Sequence, residues 1–238
     1  MEEKSRVCGR IPVIGLTGGI GTGKSTVAEY LKKGNYAHVD ADQIGRNLTA
    51  DGSDLLPVLD QVFGPEGEMG EPEKPILRED GSLDRKALGA IAFSAQEKKE
   101  KLDEIMLKHI IAEVDRQVAA YQAAEEEAAK AVQAVSESGE PAGSGDAAKI
   151  AIRGILIDAP LLFEAGLENR CDQVLLVTAD LDTRIQRVCA RDQVSEQAVR
   201  DRISCQMSED EKRKRSDLIV DNSGTLEELE KQLDDLLF

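Results

Sequence analysis

The stretch GGIGTGKST, Gly18 to Thr26, sets four glycines among nine residues and ends on a lysine and two hydroxyls. It fits the pattern G-x-x-x-x-G-K-[ST] through Gly18, Gly23, Lys24 and Ser25. Val13–Leu16 ahead of it reads as a short buried strand, and Thr26–Lys33 behind it reads as a helix. That is the context in which such a loop wraps a phosphate. Its backbone N–H groups must turn inward, which needs unusual φ/ψ values and a close approach that side chains would obstruct. The helix then aims the positive end of its dipole at the anion. On this reading Gly18, Gly19, Ile20, Gly21, Thr22 and Gly23 form the cradle. Lys24 reaches the β- and γ-phosphates, Ser25 ligates Mg²⁺, and Thr26 lies close by in the first helical turn.

Working outward, Tyr36–Val39, Ile155–Ile157, Val174–Val177 and Leu218–Val220 are brief apolar runs suited to strands buried on both faces. Thr225–Leu237 reads as an amphipathic helix opened by a capping box of Thr225 and Glu228. The alternation predicts an α/β fold, a parallel sheet with helices on both faces. Residues 79–121 read as mostly helical, with Ser94 and Glu97 as a second capping box. Residues 122–148 are low in complexity. The Ala/Glu-rich first half can extend the preceding helix, and the Ser/Gly/Glu/Pro-rich second half lacks apolar residues to bury. The expected division is a core over about 11–60 and 150–238, a helical part over about 61–121, a flexible insertion over about 122–148 and a lid over about 191–215.

Composition narrows the partners. The 238 residues carry a formal charge of −16, which argues against a general nucleic-acid binder. A polyanionic substrate therefore needs a local cationic cluster working against the global field. Cys8, Cys171, Cys189 and Cys205 form no CxxC pair and read as free thiols in a reducing compartment. The acidic start lacks the apolar stretch of a signal peptide, and no run reaches the roughly 18 apolar residues of a membrane span. A cytoplasmic protein is expected; the oligomeric state is left open.

Three further features bear on chemistry. Asp40-Ala41-Asp42 ends the second strand, where parallel sheets face their ligand crevice. An extended Asp-x-Asp puts both carboxylates on one face. One can take the acceptor hydroxyl's proton while the other holds Mg²⁺ through water, or an Asp can simply cap the following helix. Asp158 stands where a Walker-B carboxylate would, after three apolar residues. Arg184, Arg187, Arg191, Arg200, Arg202 and Lys212–Arg215 are interleaved with acids, so most read as a solvated, ion-paired helix face, although such a helical pair can also close over phosphates. No Asn-Lys-x-Asp tetrad for guanine is present.

Taken in order, GLTGGIGTGKSTVAEYL, HVDADQIGRNL, DGSLDRKALGAIAF, DAPLLFEAGLE and CARDQVSEQAVRDRISCQMSEDEKRKRSDLIVDNSGT make the chain resemble the dephospho-coenzyme A kinase family over roughly residues 11–235. The resemblance implies a P-loop core with a helical acceptor-binding domain and a lid. It implies ATP-dependent phosphorylation of the ribose 3′-hydroxyl of dephospho-coenzyme A, the last step of coenzyme A biosynthesis. It further implies that Gly18–Thr26 hold ATP, that Asp42 is the catalytic base with Asp40 beside it, and that Arg46 binds the acceptor. Pro160, Leu161, Leu162, Phe163 and Glu164 would border the acceptor, Arg191 would be the lid arginine at the ATP phosphates, and Asn222 would sit near adenine. Arg202 and Gln206 match the lid pattern. The chain departs from the family at His109, which is followed by Ile110 rather than Pro.

Overall fold

The computed structural model describes residues 10–138 and 152–237. The chain divides into two compact units, Met1–Val39 with Arg116–Phe238, and Asp40–Asp115.

The first unit is built on a five-stranded sheet in the order β2-β3-β1-β4-β5. The strands are β1 (Val13–Gly18), β2 (Tyr36–Asp40), β3 (Gly154–Asp158), β4 (Gln173–Thr178) and β5 (Leu218–Asp221). β1 pairs in parallel with β3 on one side and β4 on the other, and β4 pairs in parallel with β5. All six residues of β1 are buried, as a central strand with both faces covered requires. Helices α1 (Lys24–Lys33), α6 (Leu181–Asp192), α7 (Glu196–Ser204), α8 (Glu209–Arg215) and α9 (Leu226–Leu237) pack around the sheet. Ile14, Leu16, Val27, Leu31, Leu156, Leu175, Val177, Val220, Leu229 and Leu233 share one core. The α9 capping box forms as read: Thr225 N–H donates to Glu228 Oε2 at 2.9 Å, and Glu228 N–H donates to Thr225 Oγ1 at 3.2 Å.

The second unit is helical: α2 (Ala41–Leu48), α3 (Leu55–Phe63), α4 (Arg85–Ala92) and the start of α5 (Gln96–Ser138). It has its own core of Leu55, Leu56, Leu59, Phe63, Ile76, Leu83, Leu88, Ile91 and Ile105. Residues 40–60, expected in the sheet core, thus belong to this helical unit. The Ser94–Glu97 capping box does not form. α5 starts one turn position later, at Gln96, and the Ser94 hydroxyl donates back to the Ile91 carbonyl at 2.7 Å, closing α4 instead.

The expected flexible insertion is helical over its first half, because α5 runs to Ser138. Gln122 ties this half to the start of the sheet, accepting from Ile11 N–H at 2.9 Å and donating to its carbonyl at 2.7 Å. Residues 139–148 lie outside the described residues.

Leu31 is fully buried where α1 meets the sheet. Leu31→Ala is expected to cost about 2–5 kcal/mol, transfer and cavity together. Urea unfolding followed by circular dichroism checks it, and a loss below that range would mean the α1–sheet contact is looser than described.

Candidate active site

The glycine loop leaves β1 at its carboxyl end and enters α1. Gly21 and Gly23 both stand in the left-handed region, with φ of 81° and 83°, which L side chains rarely adopt. Gly23 caps α1. The loop closes on itself through Thr22, whose N–H and hydroxyl both donate to the Gly19 carbonyl, at 3.2 and 2.9 Å.

Three side chains from the C-terminal third brace it from outside. Arg184 Nε–H donates to the Ile20 carbonyl at 2.9 Å, and Gln206 Oε1 accepts from Ile20 N–H at 3.1 Å. Asn222 Nδ2 donates to the Thr22 carbonyl at 2.8 Å, while its own N–H is held by the Thr178 carbonyl. Asn222, expected near adenine, is therefore buried as a brace of the loop.

Lys24 opens α1 and is ion-paired to Asp158 Oδ1, at the end of β3. The other oxygen of Asp158 takes a hydrogen bond from His38 Nε2 at 3.2 Å. Burial alone would raise the Asp158 carboxyl. The His38 hydrogen bond and the adjoining Lys24 outweigh it and hold the group below the usual carboxylate range. β-sheet register explains the meeting: Asp158 lies opposite Leu16 on β1, two residues before the loop. Ser25 and Thr26 are exposed in the first turn of α1.

The Asp-x-Asp reading is corrected. α2 begins at Ala41, so the segment is not extended throughout and the two carboxylates do not share a strand face. Asp40 is the N-cap, accepting from Gln43 N–H at 2.8 Å, while Asp42 sits in the first helical turn. Arg46, one turn on, bonds the Gln43 side-chain oxygen through Nε and Nη2 at 3.3 and 3.0 Å. Asp42 and Arg46 line a cavity of about 450 Å³ within the helical unit, walled by Leu83, Leu88, Leu102, Met106 and Ile110. Arg85 also lines it, donating to the Thr49 carbonyl at 2.9 Å. His109 turns back on its own helix, donating from Nδ1 to the Ile105 carbonyl at 2.8 Å.

Around Pro160–Glu164, the Pro160 carbonyl accepts from Thr17 Oγ1 and from the buried Lys212 Nζ, both at 3.2 Å. Leu162 and Phe163 are buried, Leu161 is exposed, and Arg215 lies 4.5 Å above the Phe163 ring. Glu164 Oε1 accepts from Met207 N–H at 3.4 Å. Arg191, the expected lid arginine, has a largely exposed side chain and is bound to Asp192 at 2.7 and 3.1 Å; Arg202 binds the same carboxylate at 2.9 Å. Neither composition nor motif singled out His38, and Arg184 was read only as one of several cations interleaved with acids. Arg184 carried a signal: it lies four residues before Val188, on the buried stripe of α6.

Among the described residues no helix is long and apolar enough to cross a membrane, and no group of three or more His, Cys, Asp or Glu stands ready to cage a metal. Cys171, Cys189 and Cys205 are free thiols, and burial pushes the Cys171 thiol up to about 12.

The family model CoaE, dephospho-CoA kinase, matches residues 12–133 and 146–228, most of the chain. A dephospho-CoA kinase of Enterococcus faecalis is 36% identical over 221 residues, 93% of each chain. One of Corynebacterium glutamicum is 35% identical over 224 residues, 94% of each. The crystal structure of TT1252 from Thermus thermophilus aligns with a TM-score of 0.63 at 29% identity, covering 96% of this chain and 97% of that one. A Campylobacter jejuni dephospho-CoA kinase shares the fold at a TM-score of 0.56 and 20% identity, covering 94% and 95%.

The folded Asp158 pKa lies below its unfolded value, so its contribution to stability is present above about pH 4 and is lost as pH falls through the lowered pKa. The stability gap between wild type and Asp158→Asn, from urea unfolding across pH, should be largest near neutrality and shrink in acid. A gap independent of pH would contradict the pairing.

Proposed function

The chain belongs to the dephospho-CoA kinase family, and from that premise we propose that it transfers the γ-phosphoryl group of ATP to the ribose 3′-hydroxyl of dephospho-coenzyme A, giving coenzyme A and completing that biosynthesis. The observation that carries the proposal is the braced glycine loop with Lys24 at its end, held ready on Asp158. Its acceptor-side complement is the cavity holding Asp42 and Arg46.

The residues fit a divalent cation that travels with the nucleotide. Mg²⁺ commonly keeps several waters and binds through phosphate oxygens with few protein ligands. That suits a site with the exposed Ser25 hydroxyl and no carboxylate cage among the described residues. When bound, the ion supplies charge neutralisation along the phosphate chain.

The loop amides and the α1 dipole bind the β- and γ-phosphates. Lys24 exchanges Asp158 for the phosphates and stabilises the charge that develops on the transferred group. Asp42 accepts the proton of the 3′-hydroxyl as that oxygen attacks phosphorus and the bond to ADP breaks. Asp40, committed to capping α2, holds Asp42 in place. Arg46 and the apolar wall of the cavity bind the acceptor. Pro160–Glu164 border it, and the segment 191–215 acts as a lid that excludes water. We place the reaction in the cytoplasm, a reducing compartment in which Cys171, Cys189 and Cys205 would remain thiols.

Acceptor-panel kinetics with Mg-ATP test this. Dephospho-coenzyme A should far exceed nucleosides and nucleotides as acceptor. Asp42→Asn should keep ATP affinity while lowering transfer by about a hundredfold or more. A different preferred acceptor would refute the substrate, and collapse of ATP affinity in Asp42→Asn would make Asp42 a metal or structural residue.

A further inference from the structure

Lys24 has two partners to serve in turn. In the structure it is paired with Asp158 Oδ1. On the proposed function it moves to the phosphates of the nucleotide, and the carboxylate it leaves has a side chain only 9% exposed. A buried carboxylate stripped of a cation is costly, and that cost would be set against nucleotide binding.

The structure gives Asp158 a partner that does not leave. His38 lies on β2, which stands beside β3 in the sheet, and its Nε2 is 3.2 Å from Asp158 Oδ2. The two carboxylate oxygens are thus held by different elements, Oδ1 from α1 and Oδ2 from β2. An ionised carboxylate can only accept, so His38 Nε2 carries the proton and donates. Burial pushes the Asp158 carboxyl up; the His38 hydrogen bond, and after it the charge of Lys24, bring it below its usual range. The two partners also differ in freedom. Lys24 opens α1 directly after Gly23, and its flexible four-carbon stem lets the ammonium change partner. His38 sits inside a strand whose flanking Ala37 and Val39 are buried, so its ring stays beside Asp158.

We propose that His38 is a positioning residue for the phosphate lysine: it holds Asp158 once Lys24 has turned to the nucleotide, and so lets the lysine go. It acts through Asp158 and Lys24, not on the reacting atoms. This role rests on the glycine loop being a nucleotide site and adds a residue to that site's machinery. Without the His38 bond, every nucleotide that draws Lys24 away leaves Asp158 buried and bare. Bound ATP and the transition state both use Lys24, so the loss falls on ATP affinity and not on turnover at saturation.

Calorimetric titration with Mg-ATP and steady-state kinetics test this on His38→Leu, His38→Ala and His38→Gln, each made in the wild-type and in the Asp158→Asn protein. His38→Leu and His38→Ala should bind Mg-ATP about tenfold more weakly, the worth of one hydrogen bond to a charged group. kcat at saturation and KM for the acceptor should not move. His38→Gln keeps an N–H donor and should recover part of the affinity. In Asp158→Asn there is no charge to leave behind, and the same substitutions should change affinity by less than about twofold. Without nucleotide Lys24 still holds Asp158, so the His38 variants should melt within a few degrees of wild type. Unchanged ATP affinity in His38→Leu and His38→Ala, or an equal loss in the Asp158→Asn background, would overturn the role. So would a fall in kcat with affinity intact, or melting far below wild type without nucleotide, which would make His38 a catalytic or a structural residue instead. A wild-type protein that binds no Mg-ATP would sink the nucleotide reading itself.

Discussion

A loop that turns amides toward an anion has few left to bond to itself, and here one turn at Thr22 is closed internally, so most of its shape has to be held from outside. Here the constraint is met by Arg184 and Gln206 on the two sides of Ile20 and by Asn222 on the Thr22 carbonyl. All three come from the C-terminal third, at least 164 residues from the loop residues they hold. The parallel sheet makes this possible: β4 lies beside β1, β5 beside β4, and the turns after β4 and β5 arrive at the end of β1. Gly21 and Gly23 allow the loop its left-handed backbone, and the braces hold it in that one conformation.

The same economy governs charge. The chain carries −16 overall, yet on the proposed function its loop receives a polyanion. Lys24 rests on Asp158, and Asp158 keeps His38 as a second partner. On the proposed mechanism Lys24 turns to the nucleotide, and His38 then remains as a partner of the buried carboxylate. Arg184 is spent on structure and on Glu209. The local field is thus a short set of individually placed cations, which is what a small anionic ligand needs and what nucleic-acid binding does not.

The sheet, its strands and the glycine loop between β1 and α1 were legible in the sequence, because buried parallel strands read as brief apolar runs and the glycine pattern has a backbone reason. Asp40 and Asp42 were read as a pair on a strand; the start of α2 at Ala41 separates cap from candidate base, and one residue of helix boundary decides it. Ser94 looked like a cap by spacing, but the C-terminal turn of α4 claimed its hydroxyl first. Arg184 was read only as one of several basic residues interleaved with acids, because sequence shows no more than that alternation. Which arginine faces a loop far away in the chain is a tertiary fact. Asn222 and Gln206 were found through the family resemblance, but their work as braces is visible only in the hydrogen bonds.

The most direct measurement is of the product formed from Mg-ATP and dephospho-coenzyme A, by mass and by ³¹P NMR, with ADP followed in parallel. The account predicts ADP release that depends on the acceptor, a product heavier by one phosphoryl group, and a new phosphomonoester on the ribose 3′-oxygen. ADP released at the same rate without the acceptor, or a phosphoryl group found at another oxygen, would contradict it.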